Sequence, residues 1–154
     1  MQSVAQFFGK QRLIDVDEEE FSQRFAEVTQ RVGERPALRA KHFFEENHRV
    51  DAVSDALLSG NKKLLLKAVA ESGDSSMYQL QNCSVLGDET LKEAVLFARS
   101  ICPCASRVHG GGFQGTILAV LEHGASHFAK EMAKRYGENS VHVLKVRSVG
   151  ATVL

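Results

Sequence analysis

Apolar side chains recur at helical spacing through the first two thirds of the chain. Phe21, Phe25, Val28 and Val32 fall on one helical face, and Asp17 with Glu20 three residues on reads as the capping box that opens it. Pro36 suits the first turn of a second helix running to Leu58 and stopping at Gly60, with Phe43, Val50, Val53 and Leu57 as its buried side. Asn61 caps a third helix that ends at Gly73 and turns Leu65, Ala68 and Val69 inward. The polar stretch Ser72–Asn82 reads as a solvated loop. Asp88 or Thr90 then starts a fourth helix carrying Leu91, Val95, Ala98 and Cys102.

After Pro103 the period changes. Ala105–His109 reads as a strand, the glycines 110, 111, 112 and 115 follow, and Thr116–Leu121 is short and apolar enough for a strand buried on both faces. These two strands are expected to be antiparallel neighbours joined by the glycine segment. A helix from Gly124 to Tyr136 aligns Phe128, Met132 and Tyr136, Val141–Arg147 is rich in β-formers, and Thr152–Leu154 is a last short strand. Helices followed by β-β-α-β predict an α+β fold whose antiparallel sheet is covered on one face.

Composition narrows the function classes. With 154 residues, 44% of them hydrophobic, the chain has material for a real core, and no linker or repeat divides it, so it reads as a single domain. Nineteen basic side chains balance nineteen acidic ones, which argues against nucleic-acid binding and against an anionic membrane surface. The start lacks an apolar signal region and no apolar run reaches membrane-spanning length. Three cysteines, an odd number without framework spacing, fit a reducing compartment, so a cytoplasmic protein is expected. Cys102 and Cys104 form C-x-C, not the C-x-x-C of redox chemistry, and read as structural thiols. His123 and His127 stand four apart but lack a third ligand, so surface histidines are expected there rather than a metal site.

The sharpest local feature is S-R-V-H-G-G-G-F-Q-G-T at Ser106–Thr116. Gly110, Gly112 and Gly115 spell G-x-G-x-x-G, but a dinucleotide fold needs that pattern to open a helix, and here a strand follows. A protein-kinase glycine loop lies between strands, yet the H-R-D and D-F-G segments are missing. Spacing leaves two readings open, a plain turn needing positive φ and a loop closely approached by a ligand; the density of glycines favours close approach.

These residues carry a family resemblance. Arg107, Gly110, Gly112, Phe113 and Gly115 match the third motif of galactokinases, R-M-T-G-A-G-F-G-G-C, in the GHMP sugar-kinase family. Upstream, His42, Glu46, Asn47, Arg49 and Val50 match that family's H-V-V-x-E-N-x-R-V helix, and both ends of the chain are similar too. Val108, His109, Gly111, Gln114 and Thr116 depart from the third motif, and Gly73 stands where the S-H-x-S-L segment has its His. The resemblance is to the C-terminal part alone: the galactose-recognition segment and the G-L-S-S-S-A phosphate loop have no counterpart. It implies a ferredoxin-like antiparallel sheet with several additional helices, packed against an N-terminal kinase domain. The whole enzyme would use ATP and Mg to phosphorylate galactose, or a related hexose, at the anomeric hydroxyl. Arg107, His109, Gly110, Gly111, Gly112, Phe113 and Gly115 would form the loop near substrate and phosphate. No catalytic residue or cofactor is expected in this part by itself, and an apolar face beside the loop, with self-association as a consequence, is expected where the partner domain packs. The alternatives are a non-catalytic sugar-binding or regulatory module, or a plain α+β interaction domain.

Overall fold

The computed structural model describes residues 1–85, 87–145 and 149. It is an α+β arrangement in which helices form most of the mass and a two-stranded antiparallel hairpin lies among them. Helix α1 (Gln2–Phe7), a short 3-10 turn (Leu13–Asp15), α2 (Glu18–Gln23) and α3 (Phe25–Val32) lead into the long helix α4 (Glu34–Leu58). Asp17 caps α2, its carboxylate accepting from the Glu20 amide at 2.7 Å. The expected capping box is half made, because the Glu20 carboxylate turns to Arg24 at 2.8 Å instead of reciprocating. The single helix expected through Phe21–Val32 is broken at Arg24, whose φ of −101° and ψ of 14° leave the α region. The kink brings Phe21 and Phe25 edge to face at 5.7 Å, and Arg24 lies 4.7 Å from the Phe7 ring.

Pro36 sits in the first turn of α4 and the helix stops at Leu58 before Gly60, as read from the sequence. Its buried side is different from the expected one. Ala37, Ala40, His42, Phe44 and Ala56 are buried, whereas Val50 and Leu57 are 66% and 64% exposed. A helix of 25 residues outruns the helices packed on it, so an apolar spacing alone does not say which stretch has a neighbour.

Asn61 caps helix α5 (Lys62–Ser75) through a 3.0 Å bond from the Leu64 amide. The expected end at Gly73 and the expected loop after it are both corrected. Gly73 lies inside α5 because β1 (Ala105–His109) crosses there, and a Cβ would collide with the Ser106 carbonyl. The chain then continues through one π-helical turn, Ser76–Leu80. Ser72, Ser75 and Ser76 are buried rather than solvated.

Helix α6 (Thr90–Ile101) begins beside Asp88, which accepts from the Thr90 amide at 2.9 Å. Strand β1 pairs antiparallel with β2 (Thr116–Val120) in the register Ala105↔Val120 through His109↔Thr116, as expected. Ser106 bonds toward α6, while Val108, Ile117 and Ala119 pack in the cores built with α6 and with α7 (Ala125–Tyr136). On the other face Arg107 meets α5, but Thr116 and Leu118 stay exposed, so β2 is not buried on both sides as expected. Phe128 and Met132 are buried in the row predicted for α7. Among the described residues, 141–145 pair with no strand, and the rest of the predicted Val141–Arg147 strand, like Thr152–Leu154, lies outside them.

Candidate functional site around the glycine loop

The hairpin connection is built as its composition demands. Gly110, Gly112 and Gly115 have φ of 73°, 77° and 117°, a region open to glycine at little steric cost. Phe113 also has positive φ, at 66°, and the residue is 44% exposed. Beyond Gly110, Gly111 and Gly115 a Cβ would meet nothing within 4 Å, so the outer side of the loop is open. Gly112 is crowded instead, and the group that crowds it is internal. A Cβ there would strike Asn82, whose carbonyl accepts from the Phe113 amide at 2.5 Å and whose side-chain amide donates to the Gly111 carbonyl at 3.0 Å. The close approach read from the glycines is therefore, at this position, an approach to the chain's own Asn82.

Of the other loop residues, His109 is exposed at the end of β1, and Arg107, two residues earlier on the same face, is half-buried against α5 and α4. The Arg107 Nη1 donates to Ser72 Oγ at 2.6 Å and lies 3.8 Å from Glu46 Oε2. Glu46 in turn accepts from Arg49 Nε at 2.5 Å and from Ser72 Oγ at 2.8 Å. Burial pushes the Glu46 carboxyl up, but the hydrogen bonds from Arg49 and Ser72 and the Arg49 charge outweigh it and leave the group below the usual carboxylate range. Thus the two segments that carry the family resemblance, one on α4 and one on β1, are joined by Glu46, Ser72 and Arg107. Arg107 is held by its neighbours and anchors the base of the loop.

A second strand of the same seam runs from His42. Its Nδ1 lies 2.8 Å from Ser75 Oγ; the hydroxyl donates to Gln79 Oε1 at 2.5 Å, and Gln79 Nε2 donates to Glu45 at 2.9 Å. Since Ser75 spends its proton on Gln79, it accepts from the Nδ1–H of a neutral imidazole. Desolvation holds the His42 pKa below the ordinary value, so that neutral form prevails.

The sequence pattern pointed past four residues of this assembly. Asn82 and the serines of α5 stood in the segment read as loop, and nothing local marks them as buried. Arg99 on α6 is the fourth: it pairs with Asp74 at 2.6 Å and donates to the Ser106 hydroxyl and carbonyl at 3.1 and 3.0 Å, tying α5, α6 and β1. The thiols are free, Cys83 buried and Cys102 and Cys104 half-buried, and burial raises the pKa of Cys83 and Cys104. His123 and His127 are exposed, and among the described residues no group of three His, Cys, Asp or Glu could hold a metal ion. No helix among them is long and apolar enough to cross a membrane.

Fold and site together define an α+β unit in which a glycine hairpin is keyed to a polar helix seam. Comparison with known proteins gives the relationship a name: the chain is a relative of galactokinases. It is 39% identical to the galactokinase of Pasteurella multocida over 117 residues, which is 76% of this chain and 30% of that enzyme. The galactokinase of Glaesserella parasuis is 35% identical over 119 residues, covering 77% and 30%. That of Actinobacillus pleuropneumoniae is 33% identical over 134 residues, covering 86% and 34%. The chain thus spans about a third of the length of these curated relatives, which fits the C-terminal part of such an enzyme and bears out the resemblance carried by the two motifs. No family model matches the chain, and no solved structure matches it.

Proposed function

We propose that this chain serves as the C-terminal domain of a cytoplasmic galactokinase-like GHMP sugar kinase, whose N-terminal domain supplies the catalytic groups. The complete enzyme would transfer the γ-phosphoryl of ATP, with Mg, to the anomeric hydroxyl of galactose or a related hexose. The observation that carries the reading is the junction of the two galactokinase-like segments through Glu46, Ser72 and Arg107, in a chain related to galactokinases over three quarters of its length.

Phosphoryl transfer is largely a matter of positioning and charge stabilisation. ATP with its Mg would supply the phosphoryl group and neutralise its charge. The chain's own part is geometric. The open side at Gly110, Gly111 and Gly115 lets an anionic group or the partner domain reach main-chain N–H groups without side-chain obstruction. Arg107, engaged with Ser72 and Glu46, fixes the base of the loop rather than gripping phosphate. His109 and Phe113, both exposed, stand at its rim, and Leu118, 37% exposed on the uncovered half of the sheet, gives the N-terminal domain an apolar contact nearby.

The test is a coupled ADP-release assay with galactose, ATP and Mg²⁺. The chain alone should show no sugar-dependent turnover, and adding the separately expressed N-terminal part should restore some. Turnover by the chain alone overturns the proposal, as does a well-folded mixture that releases no ADP in response to sugar.

A further inference from the structure

The backbone of the described residues is strained at one place. Gln81 and Phe113 are the two non-glycine residues there with positive φ, at 58° and 66°, a region that side chains with a Cβ adopt only at an energetic cost. They are 32 positions apart in sequence yet flank the same contact, for Gln81 precedes Asn82 and Phe113 donates its amide to the Asn82 carbonyl. The π turn Ser76–Leu80, a geometry rarely adopted without a tertiary reason, ends against Gln81. Asn82 itself is 3% exposed. Its carbonyl takes the Phe113 amide, its side-chain amide takes the Gly111 carbonyl, and Gly112 is left no room for a side chain between them. Three successive loop residues are thereby fixed by one buried residue, while the opposite side of the loop stays open.

A plain turn between two paired strands needs no such clamp, because the hairpin register already closes it. From this we infer that Asn82 is the positioning residue of the glycine loop: it holds Gly111–Phe113 in one preorganised conformation, with the Phe113 ring outward, ready for the group that approaches the open side. The strain at Gln81 and Phe113 is then the cost of that preorganisation, which lowers the ordering penalty when the cleft is completed. The inference rests on the proposed function for what approaches the loop, but not for the clamp itself.

The experiment uses the chain as it stands and ¹⁵N relaxation of its backbone amides. In the parent chain, Gly111, Gly112 and Phe113 should have order parameters near the rigid value of roughly 0.85, and Asn82→Ala should bring them to about 0.6 or below. The amides of α4 and α5 serve as the internal control and should not move. Asn82→Asp gives a readout that a merely structural role would not produce. As a carboxylate it repels the Gly111 carbonyl and the loop loosens; as the pH is lowered and it takes a proton, it can donate again and the loop re-orders. Loop amides that stay rigid in Asn82→Ala overturn the assignment, and so does a loosening of α4 and α5 equal to that of the loop. Neither outcome involves turnover, so the assignment of Asn82 and the proposed kinase role fail by separate measurements.

Discussion

Helix α4 borders two unlike environments within three turns. Toward α1, α2 and α3 it offers Ala37, Ala40 and Phe44, which join Val4, Phe21 and Val28 in an apolar cluster where the tilted rings of Phe21 and Phe44 lie 5.1 Å apart. Toward α5 and β1 it offers His42, Glu45, Glu46 and Arg49, each bonded to a named partner. The first region is held by volume and area, which are non-directional and survive a change of side chain of similar size. The second is held by matched donors and acceptors, which survive fewer changes, because losing one partner leaves the other half-buried and only partly hydrated. The glycine loop hangs from the second region through Arg107, so its geometry is coupled to the less forgiving side of the helix.

The comparison breaks most visibly at Phe21, 2% exposed at the centre of the aromatic cluster. Phe21→Ala should cost about 3–5 kcal/mol in denaturant unfolding, with Phe21→Leu far milder. In the polar seam Glu46→Ala should cost about 1–3 kcal/mol, and Glu46→Gln, of nearly the same volume, should recover only part of it. A full recovery by Gln would mean that the seam behaves like the apolar side. Between two loop glycines the contrast sharpens further. Gly112→Ala meets both positive φ and Asn82 and should lose about 2 kcal/mol, whereas Gly110→Ala meets positive φ in open space and should lose about 1.

The subtlest test uses pH. His42 has its folded value below the ordinary 6.5, so on acidification the unfolded chain takes up the proton first. Its contribution is whole above 6.5 and is lost as pH falls from there through the folded value. Glu46 acts in a lower window, its stabilisation being present above the ordinary 4.5 and lost as pH falls through its depressed folded value. His42→Gln should therefore flatten the stability profile just below pH 6.5 and leave the acid limb below 4.5 in place, read as urea midpoints across the range. A profile unchanged by His42→Gln would show that the seam does not exclude solvent from the imidazole.

What the sequence determined by itself was whatever local chemistry dictates. Asp17 and Asn61 cap helices because their side chains compete for the first free amides, and Gly60 ends α4 with a φ of 65°. The glycine hairpin was legible because its residues accept conformations that others resist, and the galactokinase resemblance was legible in Arg107, Phe113, Glu46 and Arg49. Tertiary structure alone decided which apolar residues are buried, because Val50 and Leu57 keep perfect helical spacing on a stretch of α4 where they stay exposed. It alone turned Ser72–Asn82 from a polar stretch into helix, π turn and clamp. Serine and asparagine favour loops when water is their only partner, but here His42, Glu46, Arg107 and the backbone of the glycine loop are brought to them from 26 to 35 positions away, and those bonds exist only once the chain has folded.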